Sequence, residues 1–398
     1  MDDFFPILPW DAQHGWRCDR RKLKEGLPSI AQCNFTMAGF VRPEDLRLCE
    51  ELGLKAIIFD GCKGATTKNW ILPDEEIDRR IREVVERSGD SEAILGYFIG
   101  DEPGASEFPY LAKAVQAVKR YAPGKIGYIN LYPNYATLGA KDISQLQTDT
   151  YKEYLERFMG EVEPQLLSYD NYMVQISDDL ENPDKAASYY TNLLTVRDIA
   201  LRYKVPFWNI VSSNRIRPWT TIPSPANMFF QAYTTLAAGG NGVTWFTYYS
   251  RVYGYAPIDE KLDCKTPTWY YLQEVNRQVK ILGPIMNRLN STGVYFTSPA
   301  PVESLPVLPS KLIGTVDSNT PLMIGEFKSR DGSDYVMVVN LSLKKSGRFT
   351  LHPKISINNM EIVSCVDGQL YPINDSIQVV AGQGALIKLS GSIGAVLI

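Results

Sequence analysis

The chain has 398 residues, more than a single hydrophobic core usually spans, so it holds either a large barrel or two domains. Its 41 basic and 45 acidic side chains are interspersed, with a net charge of −4 and no basic run. That lacks the electrostatic footprint of a nucleic-acid binder and fits a small neutral ligand better. Only two histidines occur, His14 and His352, near opposite ends; this removes most histidine triads and multi-histidine metal sites and leaves acid–base work to Asp and Glu.

No stretch approaches the ~20 apolar residues of a membrane span. The opening MDDFFPILPW is acidic and too short in apolar residues for a signal peptide. A leader removed earlier would point to the periplasm or the exterior, otherwise to the cytoplasm, so the compartment stays open, as does the oligomeric state. The six cysteines are far apart with no CxxC, which speaks against a zinc ribbon or a dense disulfide framework and for buried free thiols. No phosphate-binding glycine motif follows a strand, so neither cofactor nor metal is expected.

In chain order the predicted strands are FPILPW (5–10), IAQCNF (30–35), KAIIFD (55–60), ILGYFIG (94–100), KIGYIN (125–130), LLSYDNY (166–172), PFWNIV (206–211) and GVTWFTY (242–248). Helix-patterned stretches separate them, the mark of repeated βα units. RPEDLRLCEELG has Pro43 early, acids in its first turn and Gly53 as a stop. DEEIDRRIREVVERSG begins in acids, carries Ile77, Ile81, Val84 and Val85 on one face and ends at Gly89. The last helix of the series is predicted over Lys265–Leu289. Eight such units predict an α/β fold, a (β/α)8 TIM barrel over residues 1–290. From about Val294 the segments become short, alternating and turn-punctuated, and SRDGSD reads as a hairpin. A small all-β sandwich over 291–398 follows from that pattern.

A parallel barrel carries its chemistry at the C-terminal ends of its strands. Those ends supply Trp10 and Asp11, with His14 and Trp16 just beyond, then Asn34, Asp60, Asp101 and Glu102. Further along come Asn130 and Tyr132; Tyr169, Asp170 and Tyr172; Asn209 and Ser212; and Trp245, Tyr248 and Tyr249. Carboxylates and amides among flat aromatics suit a saccharide, whose ring faces stack while its hydroxyls hydrogen-bond. A strand-end aromatic can equally fill the barrel mouth, and Asp60 can cap the turn at Gly61. NRIRPW (214–219) brings Arg215 or Arg217 toward the cleft, whereas SDDLENPDK (177–185) reads as a solvated loop.

GYFIGDEP resembles the strand-four Asn-Glu-Pro element of the large clan of retaining TIM-barrel glycoside hydrolases, bacterial members with a β-sandwich behind the barrel above all. FFQAYTTLAAGGNGVTWFTY (229–248) is similar to their last helix and eighth strand, with Trp245 where they keep a sugar-platform Trp. The resemblance implies a glycosidase acting on a carbohydrate, with Glu102 as proton donor and Asp101 at the Asn position. A second acid beside Glu102 would help keep it protonated near neutral pH. Asp-Glu is also similar to hexosaminidase-type barrels in which the Asp orients the substrate's acetamido group. VPFWNIVSSN has no carboxylate where the clan carries its strand-seven nucleophile, and Asp170 is the expected replacement. Because consecutive strand residues point to opposite faces, Asp101 is expected to tune Glu102 or hold substrate rather than flank the same bond. A non-catalytic carbohydrate-binding barrel stays open, as does a lyase or a metal-dependent hydrolase with Asp60, Asp101 and Glu102 around the ion.

Overall fold

The computed structural model describes residues 4–11, 19–59, 67–140, 143–176, 180 and 183–391. Eight parallel strands form its first sheet: β1 (Ile7–Pro9), β2 (Met37–Val41), β3 (Lys55–Ile58), β4 (Ile94–Asp101), β5 (Ile126–Leu131), β6 (Leu167–Asp170), β7 (Phe207–Ser212) and β8 (Gly242–Phe246). Their order is β1-β8-β7-β6-β5-β4-β3-β2. The seam between β1 and β2 is held by Thr36 N donating to Ile7 O and Phe40 N to Asp11 O. Gly39 makes this approach possible: its φ is 88°, and a Cβ there would lie 2.8 Å from the carbonyl oxygens of both Pro9 and Asp11.

Around the strands run α1 (Leu27–Gln32), α2 (Leu46–Glu51), α3 (Asp74–Ser88), α4 (Phe108–Tyr121), α5 (Tyr151–Val162), α6 (Pro183–Tyr203), α7 (Pro225–Ala237) and α8 (Pro267–Met286). Strands buried on both faces explain the near-continuous apolar runs in the sequence. Inside the barrel Leu8, Met37, Phe40, Ile57, Tyr128 and Trp208 pack together. Among the described residues no helix is long and apolar enough to cross a membrane. Cys33, Cys49, Cys264 and Cys365 are free thiols, the first two buried.

The second strand departs from expectation. Residues 30–35 were expected to be extended, yet Leu27–Gln32 is helical and β2 lies at Met37–Val41. Pro28 in the first turn starts the helix, and Ile30 and Cys33, three residues apart, are both buried. The strand period belongs instead to the following, fully buried segment.

After β8 come β9 (Tyr249–Ser250), β10 (Ile258–Asp259) and β11 (Cys264–Lys265), a small sheet at the barrel mouth. Beyond α8 follow β12 (Leu289–Phe296), β13 (Ile313–Ser318), β14 (Leu322–Ser329), β15 (Asp334–Asn340), β16 (Gly347–Pro353), β17 (Ile357–Val363), β18 (Leu370–Pro372), β19 (Ile377–Val379) and β20 (Gly384–Gly391). One sheet has the order β12-β14-β15-β20-β17-β18 and the other β13-β16-β19. The SRDGSD turn joins β14 to β15 as an antiparallel hairpin.

Period-two alternation lets the larger sheet serve two cores. Leu322, Ile324, Val336 and Val338 face the smaller sheet, whereas Met323, Phe327, Met337 and Val339 join the core shared with the barrel helices. Between the barrel and the larger sheet lies α7, every residue of which from Asn227 to Ala237 is buried; its polar members are paired there, Gln231 with the Ser212 backbone and Thr235 with Asn209. Gly325 sits at this contact, where a Cβ would fall 2.0 Å from the Ala237 carbonyl oxygen. That oxygen is backbone and cannot swing aside. Gly325→Ala is therefore expected to destabilise the protein by about 1–3 kcal/mol, read as a lowered denaturant midpoint.

Candidate active site

A pocket of about 570 Å³ opens at the C-terminal end of the strands. One side of it is built from Trp10, Phe40 and Phe98, whose rings meet at 4.8 Å (Trp10–Phe40) and 4.7 Å (Phe40–Phe98). A second aromatic group comprises Tyr172, Phe246 and Tyr253, with centroids 5.1 Å and 5.5 Å apart in that order. Asp101 and Glu102 at the end of β4, Asn130 on β5 and Asp170 on β6 line the same cavity.

The β4 acids do not point to opposite faces as simple alternation predicts. Glu102 has a φ of 49°, so the extended chain ends there in a left-handed turn and both side chains reach the pocket. Pro103 and Gly104 follow directly, which explains why the strand cannot continue.

Burial sets the electrostatics. It pushes Asp101 up to about 6, a rise limited by the Asn130 amide, whose Nδ2 donates to Oδ1 at 3.0 Å. Glu102 is raised to about 7, first by burial and then by the charge of Asp101. Asp170 is 3% exposed and rises well above the usual carboxylate range, because burial and the charges of Glu102 and Asp101 all oppose its ionisation. Tyr172 and Asn130, close by, favour the ionised form and limit the rise, while among the described residues the buried Oδ1 of Asp170 has no hydrogen-bond partner. Three carboxyl groups so placed hold fewer than three charges at neutral pH, the condition for one of them to act as an acid.

A second polar cluster closes the β1 side. Asp11 Oδ2 accepts from the Tyr248 and Tyr249 amides at 2.6 and 3.1 Å, and its Oδ1 lies 3.2 Å from Arg20. Arg20 Nε donates to Glu260 at 2.8 Å, and Arg251 reaches the other Glu260 oxygen at 3.1 Å. Burial raises Asp11 to about 6, with Arg20 pulling the other way. Arg20→Ala would leave two buried carboxylates without this cation and is expected to cost about 3–5 kcal/mol of stability in chemical denaturation. A loss under about 1 kcal/mol would mean the cluster is not a buried ion network.

Of the residues singled out from sequence, Trp10, Asp11, Asp101, Glu102, Asn130, Asp170, Tyr172 and Tyr249 line the pocket. Tyr132 is half-buried and close enough to Glu102 for that charge to help raise it to about 12, second to burial, but it is not in the lining. Asp60, His14 and Trp16 lie outside the described residues. Five others are elsewhere. Asn34 follows α1 ahead of β2 and donates to the Gln273 carbonyl of α8. Tyr169, Asn209 and Trp245 occupy strand positions that face outward: Tyr169 joins the core under the helices, Asn209 donates to Thr235 of α7, and Trp245 donates to Asn276 of α8. Tyr248 is buried with its hydroxyl against Ser29 and Trp269. Trp245 is thus no sugar platform; Phe246, one residue on, lines the pocket instead. Sequence reasoning also passed over Arg20, Phe40, Phe98 and Glu260. None of the four had a legible signal: Phe40 and Phe98 lie in runs that are apolar on both faces, with Met37 and Phe40 facing inward three residues apart, and Arg20 and Glu260 lie outside the barrel strands.

No family model matches the chain, and no curated protein matches it. Its fold does match solved structures. A glycoside hydrolase family 5 protein from Bacteroides vulgatus superposes with a TM-score of 0.59 at 12% identity, covering 98% of this chain and 90% of that one. A GH42 β-galactosidase from G. stearothermophilus gives 0.61 at 8% identity over 97% and 98% of the two chains. A β-galactosidase from the psychrophilic Marinomonas ef1 gives 0.53 at 11% identity, over 73% of this chain and 63% of that one. At these identities the likeness is one of fold: an eight-stranded parallel barrel followed by a sheet-rich C-terminal region, as in these glycoside hydrolases.

Proposed function

We propose that the chain is an O-glycoside hydrolase with Glu102 as general acid and Asp170 as the second carboxylate. The observation that carries this reading is the meeting of Asp101, Glu102 and Asp170 in one aromatic-walled pocket, with Glu102 raised to about 7. A carboxylic acid that keeps its proton to near neutrality can give it to the leaving glycosidic oxygen. Asp170 then supplies negative charge at the anomeric carbon, as nucleophile or as base toward water. The charge of Glu102 helps raise Asp170, so the two share a proton, and the reactive state is the one in which that proton sits on Glu102 and Asp170 is ionised. Trp10, Phe40 and Phe246 offer flat faces to the ring, and Asn130 holds Asp101 toward the hydroxyls. The shared barrel fold adds support by analogy only.

A second reading within the same class rests on one feature: Asp101 shares the pocket with Glu102, while β7 ends in Ser212 and carries no acid. In that case the substrate's own 2-acetamido oxygen attacks the anomeric carbon and Asp101 orients it. One experiment addresses both. Aryl glycosides and glycans, 2-acetamido sugars included, are offered to the wild type and to Glu102→Gln, with and without a sugar thiazoline that mimics the cyclised acetamido intermediate. Turnover lost in the variant supports the hydrolase, and thiazoline inhibition selects the acetamido route. Equal turnover in both proteins, or none in either, counts against hydrolysis; binding without turnover in either favours a carbohydrate-binding barrel.

A further inference from the structure

The loops after β7 and β8 are joined into one wall. Arg215 N donates to Gly254 O at 2.7 Å and Gly254 N to Arg215 O at 3.2 Å, a two-bond antiparallel bridge. On the other side Gln175, after β6, accepts from Ile216 N through Oε1 at 2.9 Å and from Thr221 N through its carbonyl at 2.8 Å. The wall is therefore pinned at both edges. Its inner side, through Ile216 and Tyr253, belongs to the pocket.

Its outer side carries what a soluble surface normally hides. Trp219 is 80% exposed, Val252 65% and Tyr255 50%. The guanidinium of Arg215 stands 6.0 Å from the Tyr255 ring and donates to the carbonyls of Pro218 and Thr220, the residues flanking Trp219. Tyr255 thus stands beside the guanidinium and Trp219 on the turn that the same arginine braces, both on backbone that hydrogen bonds hold in place. Val252 belongs both to the pocket lining and to this exposed group, so the platform continues the cavity outward.

We infer that this surface binds sugar units beyond the one in the pocket, so that the preferred substrate is an oligosaccharide chain rather than a monoglycoside. The inference rests on the glycosidase reading of the pocket. Separate flat rings beside a guanidinium match the alternating C–H faces and hydroxyls of a glycan, and their continuity with the pocket gives the chain its path.

The test compares kcat/KM for a disaccharide-to-hexasaccharide series with that for the aryl monoglycoside of the same sugar. In the wild type the efficiency should rise with length. Trp219→Ala and Tyr255→Ala should each cut the hexasaccharide-to-monoglycoside ratio about tenfold, the scale of one aromatic contact. Val366→Ala, on an exposed position after β17, should leave the ratio as it is; unchanged thermal midpoints verify folding. An unaltered ratio in both platform variants overturns the inference while the glycosidase reading stands. If the wild type hydrolyses nothing, that reading fails, and calorimetric binding of the same oligosaccharides decides the platform: weakening of about tenfold in Trp219→Ala supports it, and equal or absent binding overturns it.

Discussion

Glu102→Gln is expected to lower turnover of an unactivated glycoside by about 10²- to 10⁴-fold, the usual contribution of a positioned general acid. The amide keeps the shape of the side chain but has no acidic proton to give to the leaving oxygen. An aryl glycoside with a good leaving group needs that proton less, so its loss should be markedly smaller. The pH profile provides an independent readout. The wild type acts through protonated Glu102, whose value is about 7, so kcat/KM should fall as pH rises through that value. The variant should lack this limb. A limb that persists near pH 7 in Glu102→Gln would assign the acid to another group, Asp101 first, since it too is raised, to about 6.

Asp170→Asn is expected to reduce turnover by about 10²- to 10⁴-fold and, at the same time, to stabilise the folded protein at neutral pH. The stability effect follows from the sign of the shift. Asp170 holds its proton more tightly folded than unfolded, so the folded state binds more protons above the ordinary carboxylate pKa. Stability then falls as pH rises from about 4 until the folded value is reached. Asp101 and Glu102, at about 6 and 7, add to the same decline. Removing Asp170 deletes its share and leaves that of the other two. The difference in unfolding free energy between about pH 4 and pH 8 should therefore be smaller in the variant than in the wild type. Denaturant titrations at the two pH values measure it. Full activity in Asp170→Asn alongside a dead Asp101→Asn would discard Asp170 as the second carboxylate and favour the acetamido route.

The comparison between strand ends and pocket lining explains what could be read in advance. Glu102 and Asp170 were legible because each ends an apolar run, and apolar runs interrupted by acids at regular βα intervals locate the C-terminal face of a barrel. Trp245, Asn209 and Tyr169 were misassigned because strand runs that are apolar on both faces give no sign of which residue of each pair points inward. The inward set includes Asp170 and Trp208, and one step along each strand reverses the side. Asn34 failed for a different reason: IAQCNF is apolar enough for either a short helix or a strand, and Pro28 together with packing against α8 decided for the helix.

What the sequence by itself determined is the eight-unit βα order, the switch to alternating strands near Val294, the shortage of histidine and the two acids ahead of Pro103. These are local patterns of spacing and composition. Only the tertiary structure decided the rest. The left-handed turn at Glu102 brought Asp101 and Glu102 into one cavity. Parallel pairing aligned β4 with β6 across β5, so that the charges of Asp101 and Glu102 add to burial in raising Asp170. Arg20 and Glu260, 240 residues apart in sequence, met over Asp11. Proximity between distant residues, and the burial that shifts a carboxyl from about 4 toward 7, are properties of the packed chain, because a pKa responds to the solvent and charge around a group and not to its neighbours in sequence alone.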